Sequence, residues 1–404
     1  MNPLLDTLHP YPFEKLRALF ANVTPDTAYK AISFGIGEPR HPTPALIKES
    51  LVASLDGLAT YPATAGTEAL RKAIAAWLAK RYDVKVDPVT EVLPVAGSRE
   101  ALFALAQTVI DGSKPDAIVL CPNPFYQIYE GAALLAGATP YFANSDPARN
   151  FACDYAAVPG DVWARTQLLY VCSPGNPTGA VLTLDDWREL FDLSDRHGFV
   201  IASDECYSEI YFDEGAPPLG GLEAARLLGR DWTRLIILSS LSKRSNVPGM
   251  RSGFVAGDAA LMKRFLLYRT YHGCALSPVF QSASIAAWGD EAHVIENRTL
   301  YAEKFRTVTP MLASVLDVRL PDAAFYLWVD VRRSGLGDED FASRLYAQYN
   351  VTVLPGSYLA RDAHGTNPGS GFVRIALVAS VAECIEGAKR IVAFCEGLTR
   401  AQAA

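Results

Sequence analysis

A lysine and an arginine stand close together behind an apolar run in LIILSSLSKRSNVPGMRSG, residues 235–253. Lys243 follows Ser240 and Ser242, and Arg251 comes after a proline and a glycine. An amine at such a place could condense with a carbonyl, while the hydroxyls and the guanidinium could hold an anion. Alone, Lys243 reads equally well as a surface charge. Three other places change that reading. Gly97-Ser98 lies between a short apolar run and a helical pattern, so backbone N–H groups and a hydroxyl meet at a helix N-terminus, where anions bind. Asn176 sits in the loop SPGNPTG, and Asp204 and Tyr207 follow the apolar run FVIAS. An amine, an acid, a phenol, an amide and an anion-binding turn answer the separate parts of one ligand. Pyridoxal 5′-phosphate offers an aldehyde, a basic ring nitrogen, a ring oxygen and a phosphate dianion.

The elements that must position these groups are short buried strands alternating with helices. Residues 117–121, 168–172, 199–202 and 235–238 read as strands, with another at GFVAGD from Gly253. The site groups lie just beyond the C-terminal ends of such runs, where ligands bind in open α/β sheets. Helices are expected over residues 13–20, 44–55, 184–197 and 259–271, after a Thr67 cap, and as one long helix from 282 to about 316. AAFYLWVDV, VTVLPGSYL, GFVRIALV and a helix from Val381 form a smaller α+β unit. The class is therefore α/β, with a large, mostly parallel mixed sheet sandwiched by helices. Residues 44–285 are expected as the large domain and 286–404 as the small one. Residues 1–43 are an N-terminal arm that contributes to the small domain, and the active site lies between the domains.

SLSKRSNVPGMRSG resembles the cofactor-lysine motif of the class I/II aminotransferases, which are fold-type I pyridoxal-phosphate enzymes. GIGEP, the Tyr61 loop, AGSREAL, NPFYQIY, SPGNPTG, SDECY and GFVRIAL follow in that family's order, so the resemblance spans nearly the whole chain. NPLLDTLHPYPFEKLR and SLSKRSNVPGMRSGF are further similar to the proteobacterial N-succinyldiaminopimelate aminotransferases of lysine biosynthesis. The resemblance implies a role for each residue. Lys243 would carry the cofactor aldehyde and then move the proton between substrate Cα and cofactor. Asp204 would pair with the pyridine N–H, and Tyr207 and Asn176 with the ring oxygen. Arg251, Ser240, Ser242 and the Gly97, Ser98 and Arg99 turn would hold the phosphate. Tyr126 would stack on the ring, and Tyr61 would reach the phosphate of a neighbouring subunit, so a homodimer with shared sites is implied. Arg374 would clamp the substrate α-carboxylate, with Gly37 giving close backbone approach. Arg99 stands where relatives carry a small or amide residue; it would bind phosphate through its backbone or reach a distal acid. Arg40, His41, Arg269 and His272 have no family role, and one or more of the arginines would recognise a distal carboxylate.

Bulk properties narrow the partners. The 404 residues carry a net charge of −7, half are hydrophobic and a fifth charged, which suits a soluble globular protein and gives no footprint for nucleic acid or anionic membrane. MNPLLDTLHPYPFEKLRALF lacks the basic and apolar segments of a signal peptide, so none is expected. Seven cysteines without metal spacing suggest free thiols, no metal and a reducing cytoplasm. Ser240-x-x-Lys243 formally matches the S-x-x-K of serine acyltransferases, but S-D-N and K-T-G do not occur. Retention of the lysine, the acid and both arginines argues against a non-catalytic protein of this fold, whereas an aspartate or aromatic aminotransferase, a β-lyase and an aminocyclopropane-carboxylate-type synthase would use the same cofactor residues.

Overall fold

In a computed structural model that describes residues 1–403, the chain builds an eight-stranded sheet, a three-stranded sheet and a two-strand pair. The large sheet runs Val92–Val95, Gly253–Gly257, Leu235–Ser240, Val200–Asp204, Thr166–Cys172, Ile118–Asn123, Thr139–Asp146, Ala152–Cys153. The five strands from Leu235–Ser240 to Thr139–Asp146 are parallel, and Gly253–Gly257 is antiparallel to both neighbours. Helices cover both faces, so a central strand must be apolar throughout. Leu235 and Ile237 pack on one face with Trp77, Trp187 and Trp288. Ile236 and Leu238 pack on the other with Leu102, Leu105 and Phe265. That alternation is the two-residue period of a strand.

Register sets the place of the chemistry. Val95 pairs with Gly253 and Gly253 with Ser240, while Leu238 pairs with Asp204 and Asp204 with Cys172. One edge of the sheet therefore gathers the turns after four strands that are far apart in sequence.

The small domain has Phe372–Ala376 between Tyr326–Asp330 and Leu354–Pro355, all antiparallel. Ile32–Ser33 pairs with Val351–Thr352, so the N-terminal arm joins this domain. Ala292–Ala313, Asp338–Tyr349 and Val381–Ala403 enclose its core of Phe305, Leu327, Phe341, Ile375 and Phe394. The long helix expected over 282–316 is two helices, Pro278–Gly289 and Ala292–Ala313. Gly289 ends the first, and the Asp290 carboxylate accepts from His293 N at 3.0 Å at the start of the second. Ala283, Ala287 and Trp288 pack in the core beneath the large sheet. Across the seam, Arg298 donates to both oxygens of Glu214 at 2.7 Å and lies 3.4 Å from Glu209, which also pairs with Arg81 at 2.8 Å. The two Glu209 pairs are buried, and buried pairs specify how two surfaces meet more than they add stability. No described helix is long and apolar enough to cross a membrane, and all seven cysteines are free.

Candidate active site

A cavity of about 490 Å³ opens at the row of strand ends. The large domain lines it with Lys243, Asp204, Tyr207, Asn176, Ser98, Arg99, Tyr126, Ser242 and Arg251. Gly37 comes from the N-terminal arm and Arg374 from the small domain. Lys243 lies in the single turn Leu241–Arg244 directly after its strand. Burial pushes its pKa down, Cys206 and Asp204 oppose this, and Arg251 and Arg99 add to it. An amine in that state gives up its proton more readily than a surface lysine and can act as a base.

Ser240 and Ser242 are held differently on this turn. The Ser240 hydroxyl accepts from Ser242 N at 3.0 Å and lies 2.8 Å from Ser242 Oγ and 3.1 Å from the Ser252 carbonyl. It is buried and does not line the cavity. Ser240 caps the turn that carries Lys243, and Ser242 is the hydroxyl that faces the site.

Asp204 ends its strand deep in the cavity. Burial raises its pKa, against hydrogen bonds from Cys206 and Tyr129 and the charge of Lys243. Tyr129 OH donates to Oδ2 at 2.8 Å and Cys206 N to Oδ1 at 3.3 Å. Tyr129 is itself fixed by stacking on Tyr170, ring centroids 4.7 Å apart. A buried acid held by donors suits a cationic ring N–H, whose charge would offset the desolvation that raises its pKa.

At the anion end, Gly97 precedes the helix Ser98–Val109 with φ +88°. A Cβ there would fall 2.2 Å from an Arg251 Nη, so only glycine lets the guanidinium close over the helix N-terminus. Ser98 is the first helical residue rather than its cap, and its Oγ lies 2.9 Å from Cys206 Sγ. The Arg99 side chain leaves the turn and donates to Tyr126 OH at 2.6 Å.

The opposite wall belongs to the small domain. Arg374 donates to Asn176 Oδ1 and to the Gly35 carbonyl, each at 2.9 Å, and its guanidinium lies over the Tyr326 ring. Its Nε is buried without a hydrogen-bond partner, and no acid pairs with it among the described residues. Tyr207 OH and Tyr326 OH are 2.8 Å apart. A Cβ on Gly37 would lie 2.1 Å from Tyr326 OH, which accounts for the glycine.

Tyr61 is fully exposed and lies outside this subunit's cavity. Of the unplaced basic residues, only Arg99 lines the site. Arg269 is buried against Glu100 and the Cys274 carbonyl, and neither Arg40 nor His272 reaches the cavity. Sequence reasoning missed Tyr129, Tyr326 and Cys206. Tyr129 had a faint signal as the second tyrosine of NPFYQIY, whereas Tyr326 sits in AAFYLWVDV as one more strand aromatic.

The donor set fits pyridoxal phosphate: a buried acid for the ring nitrogen, a helix N-terminus with Arg251 for the phosphate, and a buried amine between them. Arg374 adds a buried guanidinium whose Nε has no hydrogen-bond partner. Comparison with known proteins agrees. Residues 29–391 match the family described as aminotransferase class I and II. The LL-diaminopimelate aminotransferase of Dehalococcoides mccartyi is 32% identical over 96% of this chain and 97% of its own length. A crystal structure of an aminotransferase from Neisseria meningitidis is 55% identical, with TM-score 0.95 over 98% of this chain and 100% of that one. A probable N-succinyldiaminopimelate aminotransferase from Thermus thermophilus is 27% identical, with TM-score 0.84 over 95% and 99%. The chain therefore belongs to the class I and II aminotransferases, enzymes that use pyridoxal phosphate.

Proposed function

We propose that the protein transfers an amino group between glutamate and N-succinyl-2-amino-6-oxopimelate, yielding N-succinyl-LL-2,6-diaminopimelate and 2-oxoglutarate. The observation that carries it is the pair of cationic side chains in one cavity, Arg374 buried within and Arg99 on the neighbouring wall with no acid partner among the described residues. Arg374 suits the α-carboxylate of each amino acid in turn, and Arg99 suits the distal carboxylates that both substrates share as a class. The bound cofactor supplies an electron sink and carries the amino group between the two half-reactions. Lys243 moves the proton at the substrate Cα, and its lowered pKa provides the free amine for this. Asp204 keeps the ring nitrogen protonated, and Asn176 orients Arg374 while keeping its own amide N–H for the ring oxygen. Enzymes of this kind are proposed to work here as homodimers in the cytoplasm, with Tyr61 serving the partner's site.

Glu38 also lines the cavity, and that favours a second reading. An acid and Arg99 in one cavity would suit the distal ammonium and carboxylate of unsuccinylated LL-diaminopimelate, the compound in the name of the 32% identical relatives. Steady-state kcat/KM for glutamate, aspartate, phenylalanine, LL-diaminopimelate and its N-succinyl derivative decides. We expect the succinylated compound to exceed the free diamine by at least about tenfold. A preference for the free diamine establishes the second reading, and a preference for aspartate or phenylalanine overturns both.

A further inference from the structure

His41 stands outside the reaction as described, yet it is wired to Lys243. The arm residues Ile36, Gly37, Glu38 and Pro39 line the cavity, and His41 is two residues beyond Pro39. Its Nδ1 lies 2.7 Å from Asn297 Oδ1, and its Nε2 lies 2.7 Å from Lys304 Nζ. Asn297 Nδ2 donates to the backbone carbonyl of Lys243 at 3.2 Å. Lys304 Nζ also donates to the Leu377 carbonyl at 3.2 Å, and both Asn297 and Lys304 are buried.

The directions of these bonds follow from chemistry. A backbone carbonyl only accepts, so Asn297 must turn its amide N–H toward Lys243 and its oxygen toward His41. His41 must then donate from Nδ1. Nε2 accepts from Lys304, so the imidazole is neutral and carries its one proton on Nδ1. Burial and Lys304 hold the His41 pKa below its ordinary 6.5. Burial also brings Lys304 down to about 8, and no carboxylate pairs with it among the described residues. The surroundings are the Tyr301 ring, tilted against the imidazole with centroids 4.6 Å apart, Glu303 on the same helix, Cys384 and Glu383 on Val381–Ala403, and the neighbouring residue Arg40. None of these is an acid bonded to the imidazole that would stabilise its protonated form.

We propose that His41 is a positioning residue: as the neutral, Nδ1-protonated imidazole it ties the cavity strap Ile36–Pro39 to the turn that carries Lys243, and acid breaks this tie. The inference rests on Lys243 being the amine of the site and is independent of which diaminopimelate derivative is the substrate. A proton on Nε2 would face the Lys304 ammonium donor to donor. The sign is fixed by the lowered pKa: the tie is complete above pH 6.5 and is lost as pH falls below it.

The test uses the holoenzyme. Nitrogen-15 histidine spectra should show His41 neutral and protonated on Nδ1 at pH 8, titrating below 6.5. His41→Phe keeps the ring against Tyr301 but removes donor and acceptor. It should lower kcat/KM about tenfold and shift the pH midpoint of the bound cofactor's visible absorbance. His41→Gln offers an amide donor and acceptor that cannot titrate. It should recover kcat/KM to within about twofold and move the acid limb of the pH profile to lower pH. A wild-type pH profile and absorbance midpoint in His41→Phe, or spectra showing Nε2–H or imidazolium at pH 8, overturns the proposal. Should His41→Phe not fold, the spectra of the unaltered enzyme decide alone.

Discussion

Burial acts on Lys243 and Asp204 in opposite directions and prepares both. It lowers the pKa of the amine and raises that of the acid, so each is nearer its uncharged form than the same group in water. Neither shift is visible in the sequence, but the residues are, because both follow uniformly apolar runs whose end must emerge at a sheet edge. Lys243→Ala is the sharpest test at this scale. The cavity keeps Arg251, Ser98, Ser242 and Asp204, so the variant should retain cofactor through desalting, measured by absorbance. Turnover should fall by about 10² to 10⁴, the usual contribution of a positioned base. Wild-type turnover in this variant would remove Lys243 from the chemistry. Tyr129 and Tyr326 were harder to see because their importance lies in what their hydroxyls meet. Asp204 is 75 residues from Tyr129, and Tyr207 is 119 residues from Tyr326. A tyrosine in an apolar stretch reads as packing until the fold supplies its partner.

At the scale of elements, the strand-to-turn junctions were the legible part. The expected helix 184–197 is Leu184–His197, and Thr67 caps Glu68–Tyr82 with its side chain accepting from Leu70 N. The hidden features are those where a local signal has two uses. Ser240, Ser242 and Lys243 lie on one turn, and only the fold shows that the Ser240 hydroxyl caps that turn while Ser242 lines the cavity. The break between Pro278–Gly289 and Ala292–Ala313 was masked by apolar periodicity that resumes after it, although Gly289-Asp290 held the stop and the cap. The junction Gly97-Ser98 makes a prediction of its own. With φ +88° and a Cβ only 2.2 Å from the Arg251 guanidinium, Gly97→Ala must strain the backbone and displace the arginine. Cofactor affinity should weaken about tenfold or more, measured by equilibrium titration. Ser98 N–H and Arg251 would no longer converge, while the core of the large sheet stays intact. An unchanged affinity would show that the anion is held elsewhere.

For the whole molecule, one chain leaves a feature that its own cavity does not explain. Tyr61 is fully exposed, with Val52, Leu55 and Leu58 exposed before it. Leu267, Tyr271 and Phe280 add further exposed apolar side chains on Ala259–His272 and Pro278–Gly289. The helix Ala45–Ala53 and the turn Leu55–Ala59 pack on Pro278–Gly289, so Val52, Leu55, Leu58 and Phe280 lie on neighbouring elements. Exposed apolar groups gathered in this way suit a second copy of the chain. If the copy brings its Tyr61 to this cavity's anion end, each site needs Lys243 from one chain and Tyr61 from the other. That arrangement predicts complementation. Tyr61→Ala and Lys243→Ala chains, coexpressed with different tags and purified through both, form dimers with one intact site and one doubly damaged site. Their kcat should be about half that of the unaltered dimer, since one site in two is whole. If Tyr61 serves its own subunit instead, one site of every such dimer lacks the tyrosine and the other lacks the lysine. The mixed dimer would then show no more than the mean of its two parents. A chain that does not dimerise would give no doubly tagged product, and the shared site would fall with it.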